Sequence, residues 1–311
     1  MTKASDLTVV SNIDDENDTV LNLDGGLCLL TVHAHPDDES SKGSCTVAHY
    51  SKLGVNTVLV CCTGGEEGDI LNPEMNLPEI KDNLAAVRSN ELDNAAKIIG
   101  YNQVYRLGYR DSGMPDSPAN SNPECFAKAD FDEAVKRLVK IIREVKPQVI
   151  VTYGAEQSGY PHPDHIRTHE VAEAAFYGAA DDKKYKDLGE PFKPLRLFYT
   201  VWSKDRFLSM HRKFIELGLE SPFDEKWFER VQNRIEEEVT TSVDISDVAA
   251  VRRLALLEHR TQIDPNSKFW FGLPDDVLDS IYPVDDYHLA CNFLESVDSC
   301  KDDLFEGLWK S

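Results

Sequence analysis

The sequence lacks the features that mark membrane, secreted and nucleic-acid-binding proteins. Its 311 residues contain no apolar stretch near the roughly 20 residues that a membrane-spanning helix needs. The N-terminus has neither the basic start nor the apolar centre of a signal peptide. The net charge is -22 without any block of Lys or Arg, so nucleic acids and anionic membranes would repel the chain. We therefore expect a cytoplasmic protein that binds neither.

The cysteines do not form a pattern typical of disulfide frameworks or zinc clusters. There are seven, an odd number, and no C-x-x-C pair occurs. Cys28, Cys61 and Cys62 lie in apolar runs, where a thiol packs as a small hydrophobic group. This usage indicates a reducing compartment and no structural disulfides.

The first half of the chain alternates between two kinds of segment. Short runs rich in β-branched residues predict strands, and the stretches between them have the period of amphipathic helices. The predicted strands are 27–32, 55–62, 103–108 and 148–153, and the predicted helices are 40–54, 78–100 and 129–147. This alternation predicts an α/β fold with a Rossmann-like, mostly parallel sheet flanked by helices. Ligands bind such sheets at the carboxyl ends of the strands.

The second half of the chain does not continue this regular alternation of strands and helices. A polar loop precedes a predicted strand at 195–203, and two charged helical stretches follow at 204–218 and 224–238. Residues 240–247 predict a strand that leads into a helix opened by Ser246. We expect a flexible acidic tail at 1–25 and one domain at 26–311. That domain would combine a Rossmann-like core (26–180) with an elaborated α+β C-terminal part (181–311).

The stretch "HAHPDDE" (33–39) follows the first predicted strand. His35 and Asp38 are residue types that bind zinc. A divalent cation would offset the adjacent acids, with Asp38 as a ligand and Asp37 as an unligated base. We expect Glu39 to orient this site and His33 to be a packed core histidine. The alternative for the whole motif is a solvated acidic turn.

A second cluster, "YPHPDHIRTH" (160–169), follows the fourth predicted strand. His165 would supply a third ligand, and a water in the fourth position would complete the arrangement typical of catalytic zinc. Iron(II) would fit the same ligands. His162, if protonated, and Tyr160 could stabilise an oxyanion. Because parallel strands end at one edge of the sheet, the two clusters should meet there.

Two further loops follow predicted strands. "CCTGGEEGDI" (61–70) lacks a phosphate-binding fingerprint, and its acids would repel phosphate, which argues against a nucleotide-binding module. We interpret it as a polar wall of the pocket, with Glu67 able to bind substrate hydroxyls. Asp111 in "YRDSGMPD" (109–116) could accept hydrogen bonds from a sugar diol or be a turn aspartate.

"AHPDDE" with the later "HPDH" resembles the zinc-dependent deacetylases of the LmbE/PIG-L type, and similar segments extend from residue 31 to 274. The resemblance implies one zinc held by His35, Asp38 and His165. It implies Asp37 as general base and His162 with Tyr160 at the oxyanion. It also implies sugar contacts from Arg88 and Asp111, and recognition of a thiol portion by Lys42.

The resemblance also implies a small-molecule substrate. "ESSKG" and "TQIDP…FWF" (261–271) favour a branch that cleaves the glucosamine–cysteinyl amide of mycothiol S-conjugates, which is a detoxification step. Lys42 and the aromatics Phe269, Trp270 and Phe271 would suit that larger substrate. One alternative is deacetylation of N-acetylglucosaminyl-inositol during mycothiol biosynthesis, and another is a non-catalytic sugar-binding protein. The sequence does not indicate an oligomeric state.

Overall fold

One seven-stranded mixed sheet organises the chain. The computed structural model describes residues 26–155, 160–233, 237–294 and 300–309, with the side chains of 232 and 233 left out. The predicted tail at 1–25 and residues 234–236 of the helix predicted at 224–238 lie outside the described residues, and residues 237 and 238 are not helical. In the described part of the chain, every helix is too short or too polar to cross a bilayer.

The predicted α/β fold with a mostly parallel sheet is confirmed. The sheet order is β3-β2-β1-β4-β5-β7-β6. The first five strands in this order run parallel, and β7 is antiparallel to both of its neighbours. The strands are β1 (Cys28–His33), β2 (Asn56–Thr63), β3 (Gln103–Tyr109), β4 (Val149–Tyr153), β5 (Arg196–Val201), β6 (Thr241–Asp244) and β7 (Val284–Asn292). The sequence analysis missed β7.

Helices cover both faces of this sheet. They are α1 (Asp38–Ser41), α2 (Ser44–Lys52), α3 (Pro78–Lys81), α4 (Leu84–Ile99), α5 (Phe131–Val145), α6 (Pro163–Gly178), α7 (Lys204–Glu216), α8 (Glu225–Asn233), α9 (Ala250–Glu258), α10 (Lys268–Phe271) and α11 (Asp275–Ser280). Helices α5 and α6 pack on one face with Leu30 and Val32. Helices α2, α4 and α9 pack on the other face with Leu29. Alternate residues of β1 thus enter opposite cores, as the two-residue period of a strand requires.

Three predicted helices differ from those observed. The stretch 40–54 holds two helices, because Gly43 between them has φ 85° and leaves no room for a side chain beside the Tyr287 hydroxyl. The stretch 78–100 also divides, into α3 and α4. The helix predicted to open at Ser246 begins at Ala250, because residues 246–249 form a turn.

A buried ionic cluster joins the late elements to the core. Asp285 on β7 is an ion-pair partner of Arg206 on α7 at 2.9 Å and of Arg252 on α9. It also accepts a hydrogen bond from the Thr46 hydroxyl on α2 at 3.1 Å. Burial opposes its ionisation, but the two guanidinium groups hold the pKa of Asp285 below its ordinary value. This carboxylate therefore links β7 to α7, α9 and α2.

Asp285→Asn is expected to lower the free energy of unfolding by about 3–5 kcal/mol at neutral pH, because it leaves the buried Arg206 and the mostly buried Arg252 without their counter-ion. The measurement is urea unfolding. Since folding depresses this pKa, the contribution is present above the unfolded value of about 3.9 and is lost as the pH falls below it. The exposed Asp247, paired with His49, is the control, and Asp247→Asn should change stability by less than about 1 kcal/mol.

Candidate active site

The two predicted motifs meet at the carboxyl edge of the sheet. The first begins at the end of β1, and the second leads into α6 beyond β4. A cavity of about 360 Å³ opens between them. Ten of the residues predicted for metal binding, catalysis or substrate contact line it: His35, Asp37, Asp38, Lys42, Glu67, Arg88, Asp111, Tyr160, His162 and His165. His33 and His169, the remaining histidines of the two motifs, are buried, and neither lines the cavity.

His35, Asp38 and His165 offer donor atoms that all lie within 4.8 Å of one another. One oxygen of Asp38, Oδ2, lies 3.3 Å from Nδ1 of His35 and 3.4 Å from Nε2 of His165. All three side chains are buried. Two imidazole nitrogens and one carboxylate form a donor set that suits zinc. These residues therefore fit a catalytic metal ion.

A second group of donors shares His35 with the first: His35, Asp111, His162 and Asp164. In this second group His35 would have to bind the metal through Nε2, which lies 3.2 Å from Oδ2 of Asp164. Asp164 also accepts hydrogen bonds from the backbone N–H and the hydroxyl of Ser112. A histidine that donates Nε2–H to a carboxylate presents its Nδ1 lone pair to a metal. The arrangement thus favours the first group, with Asp164 as the carboxylate that orients His35.

The sequence analysis missed Asp164 and Tyr153. Asp164 stands inside the second motif and is fully buried, so the motif itself was the signal. Tyr153 at the end of β4 donates a 2.7 Å hydrogen bond to Oδ2 of Asp38. Lys42 lies 2.5 Å from the other oxygen, Oδ1. Burial opposes ionisation, but Lys42 and His165 hold the pKa of Asp38 well below its ordinary value.

Asp37 occupies an unusual backbone conformation beside these donors. Its φ is 115°, in the left-handed region that non-glycine residues rarely adopt. Its carboxylate lies 3.1 Å from Nη2 of Arg88, and burial raises the pKa of Asp37. Arg88, only 2% exposed, also donates to the carbonyls of Gly65, at 2.6 Å, and Pro36. The predicted sugar contact Arg88 is thus also the ion-pair partner of the predicted base.

His162 caps the N-terminus of α6 through its own ring. Nδ1 accepts a hydrogen bond from the backbone N–H of Asp164 at 3.2 Å, which assigns the proton of the neutral ring to Nε2. Burial and the neighbouring His35 lower the pKa of His162. The neutral ring can therefore donate from Nε2, and the protonated form that the sequence analysis required is unnecessary. Tyr160, 51% exposed, stacks on the ring at 6.0 Å.

Glu39 lies directly behind Asp37 and is 1% exposed. Its Oε2 accepts the backbone N–H of Asp37 at 2.9 Å. Its Oε1 lies 2.6 Å from Nε2 of His259, which follows α9. Burial lowers the pKa of this histidine, but the carboxylate of Glu39 outweighs that effect and holds the pKa of His259 above its ordinary value. The sequence analysis placed Glu39 in an orienting role and did not identify His259.

The rest of the cavity wall combines polar and apolar groups. Glu67 pairs with Arg110, and its backbone N–H donates to Oδ2 of Asp111 at 3.3 Å. Among the described aromatics Phe269, Trp270 and Phe271, only Trp270 lines the cavity. Its neighbours in the lining include Leu71, Met114, Leu256, Gln262 and Ile263. The lining therefore offers both polar groups that suit hydroxyls and apolar side chains that suit an apolar substituent.

Comparison with known proteins gives consistent matches. Residues 30–176 match the PIG-L family model, described as GlcNAc-PI de-N-acetylase. The chain is 43% identical over 290 residues to mycothiol S-conjugate amidase of Streptomyces coelicolor, covering 91% of this chain and 97% of the relative. It is 38% identical to 1D-myo-inositol 2-acetamido-2-deoxy-alpha-D-glucopyranoside deacetylase of Geodermatophilus obscurus, with coverage of 90% and 97%.

Solved structures share the fold at low sequence identity. N,N'-diacetylchitobiose deacetylase from Pyrococcus horikoshii matches with a TM-score of 0.57 and 17% identity, covering 88% of this chain and 90% of that one. The 4-carboxy-2-hydroxymuconate hydratase from Pseudomonas putida matches with a TM-score of 0.54 and 16% identity, covering 86% and 98%. Because one of these is a hydratase, the fold alone does not define the reaction.

Proposed function

The chain belongs to the PIG-L family of amide hydrolases, and from that premise we propose that it cleaves the glucosamine–cysteinyl amide of mycothiol S-conjugates. The products would be glucosaminyl-inositol and a mercapturic acid. The observation that supports this most is the 43% identity to the Streptomyces amidase. It covers 91% of the chain, so it takes in C-terminal residues that line the cavity, such as Trp270.

We assign one metal ion per chain, zinc or alternatively iron(II), to His35, Asp38 and His165. When bound, such an ion polarises a carbonyl oxygen and acidifies water. Hydrolysis forms a bond between the oxygen of water and the carbonyl carbon and breaks the carbon–nitrogen bond of the amide. Asp37 accepts the proton of the attacking water and returns it to the departing amine. Its raised pKa suits a group that must both accept and release a proton.

The developing oxyanion needs a hydrogen-bond donor in place before the reaction. His162 points its Nε2–H toward the other side chains of the site. The distance from Nε2 to Oδ1 of Asp111 is 4.0 Å. The backbone N–H of Asp164 fixes the ring, so no reorganisation is needed when charge develops. The exposed Tyr160 stacks on this ring and closes one side of the site. We assign oxyanion stabilisation to His162, assisted by Tyr160.

The second candidate is the deacetylation of N-acetylglucosaminyl-inositol. The 38% identity to the Geodermatophilus deacetylase over 90% of the chain favours it. That reaction places only a methyl group on the acyl side, whereas the amidase must accommodate a substituted cysteinyl group. The apolar side chains of Leu256, Ile263 and Trp270 in the cavity wall would give the larger group a surface to bury. This wall is why we place the amidase first.

The deciding experiment compares two substrates on the zinc-loaded protein. The kcat/KM of a bimane S-conjugate of mycothiol is measured beside that of N-acetylglucosaminyl-inositol. A preference for the conjugate of at least about tenfold, or 1.4 kcal/mol in transition-state binding, is the expected result. The reverse preference would make the chain the deacetylase. Sugar binding without turnover of either compound would favour a non-catalytic sugar-binding protein.

Trp270→Ala is expected to lower kcat/KM for the bimane conjugate by about tenfold, because the conjugate loses the aromatic surface on which its substituent rests. The value for N-acetylglucosaminyl-inositol should change by less than about threefold, since a methyl group has little apolar surface to bury. Phe271→Ala, a neighbour outside the lining, is the matched control. Equal losses on both substrates would contradict an acyl-side role for Trp270.

A further inference from the structure

We propose that His259, acting through Glu39, is a positioning residue that holds Asp37 in its catalytic conformation. The inference rests on the proposed function of Asp37 as the general base. His259 and Glu39 are not among the cavity-lining residues, so neither would touch the substrate. The three residues form a chain of contacts from the end of α9 to the backbone of the base.

The backbone of Asp37 is in an unfavourable conformation. With φ at 115° and ψ at -25°, it occupies a region that costs conformational energy for a residue with a Cβ. Such conformations persist only where surrounding groups enforce them. The Arg88 guanidinium holds the side chain of Asp37 from one direction, at 3.1 Å. On the backbone side, Oε2 of Glu39 accepts the Asp37 N–H at 2.9 Å.

The carboxylate of Glu39 connects Asp37 to His259. It is 1% exposed, and a buried carboxylate stays in place only while its oxygens are paired. Oε2 is used by Asp37. Oε1 accepts the Ser40 hydroxyl and contacts Nε2 of His259, both at 2.6 Å. Of these partners, His259 alone comes from a distant part of the chain and can carry a positive charge.

The burial and hydrogen bonding of His259 indicate why a histidine is present at this position. It is fully buried, and its Nδ1 has no hydrogen-bond partner among the described residues. Burying an unpaired ring nitrogen is unfavourable, so an apolar side chain would serve better if packing were the only requirement. The segment is also anchored without it, because Thr261 donates two hydrogen bonds to Glu91 and its carbonyl accepts the N–H of Leu71. The contact with Glu39 is therefore what the imidazole provides.

The test compares two variants in the same segment on the zinc-loaded full chain. His259→Leu removes the contact with Glu39, and Thr261→Val removes a contact with Glu91. We expect His259→Leu to lower kcat by about 10- to 100-fold with KM changed by less than about threefold. Thr261→Val should lower the melting temperature and change kcat by less than about threefold. His259→Gln, which restores an N–H donor, should recover most of the lost kcat.

Two further measurements separate this role from a loss of fold or metal. Metal content by mass spectrometry should equal that of the wild type in all three variants. Glu39→Gln, which keeps the packing, tests the link from the other side if His259→Leu does not fold, and its kcat should fall at least about tenfold. A rise in KM without loss of kcat in His259→Leu, or failure of His259→Gln to recover activity, would overturn the positioning role.

The outcome for Asp37 is read separately. Asp37→Ala, measured beside these variants, loses turnover if Asp37 is the base. An active Asp37→Ala would refute the proposed mechanism itself. An inactive Asp37→Ala with an unimpaired His259→Leu would refute only the inference about His259.

Discussion

Asp37→Ala is expected to lower kcat by about a hundred- to ten-thousand-fold, the range that a positioned general base contributes. The carboxylate lies beside the metal donors without belonging to either group of them. Metal content should therefore stay at the wild-type level. The measurement pairs kcat on the preferred substrate with metal analysis of the same sample. Asp37→Asn, which keeps the shape but cannot accept the proton, should lose a similar factor.

The control for this prediction is a second carboxylate in the same cavity. Asp69 lines the cavity but belongs to neither group of metal donors among the described residues, so Asp69→Ala should change kcat by less than about threefold. A comparable fall in both variants would point to a general charge effect in place of a specific base. Full activity in Asp37→Ala would remove the base assignment, and Asp111 and Asp164 would be the next carboxylates to test.

The sequence predicted which loops meet at the edge of the sheet better than it predicted the strands of the C-terminal part. Two short motifs each followed a run of β-branched residues, and parallel strands bring such loops together at one edge. His35 and His165 are 130 positions apart in the chain, yet this rule placed them in one cavity. Which residues meet there depends little on exact helix boundaries, so the wrong boundaries at 40–54 and 78–100 did not change that prediction.

Strand β7 was not predicted because its sequence lacks the apolar pattern of a buried strand. "VDDYHLACN" places two acids in the interior of the sheet. Their cost is offset by tertiary partners that no local pattern reveals. Asp285 pairs with two arginines, and Asp286 accepts hydrogen bonds from Ser203 and Tyr282, each at 2.7 Å. Burial of polar residues is thus decided by contacts that are distant in the chain.

His259 was missed for the same reason. Its partner Glu39 is 220 positions away, and the local stretch "LEHRTQ" indicates only the end of a helix. Asp164 is a different case, because it lies within a recognised motif. Its role in orienting His35 depends on which ring nitrogen faces it, and only the folded geometry shows that.

His165→Ala is expected to reduce metal affinity by at least about a hundredfold and to abolish turnover, because only two protein ligands would remain. The described residues include two groups of donors that share His35, and this variant distinguishes them. His165 belongs only to the group with Asp38, and His162 belongs only to the group with Asp111 and Asp164. The measurement is competition for zinc against a chelator of known affinity, together with metal stoichiometry after dialysis.

The matched variant is His162→Ala, which should keep the metal and lose kcat by about a hundred- to a thousandfold, as expected for an oxyanion donor. The opposite pattern, with metal lost in His162→Ala and retained in His165→Ala, would move the ion to the Asp111 and Asp164 side. His35 would then bind through Nε2, and its contact with Asp164 could not be the orienting hydrogen bond proposed here. Because His162 is the N-cap of α6 and His165 lies in its first turn, general damage to the helix would affect both variants alike, and only a reciprocal result locates the metal.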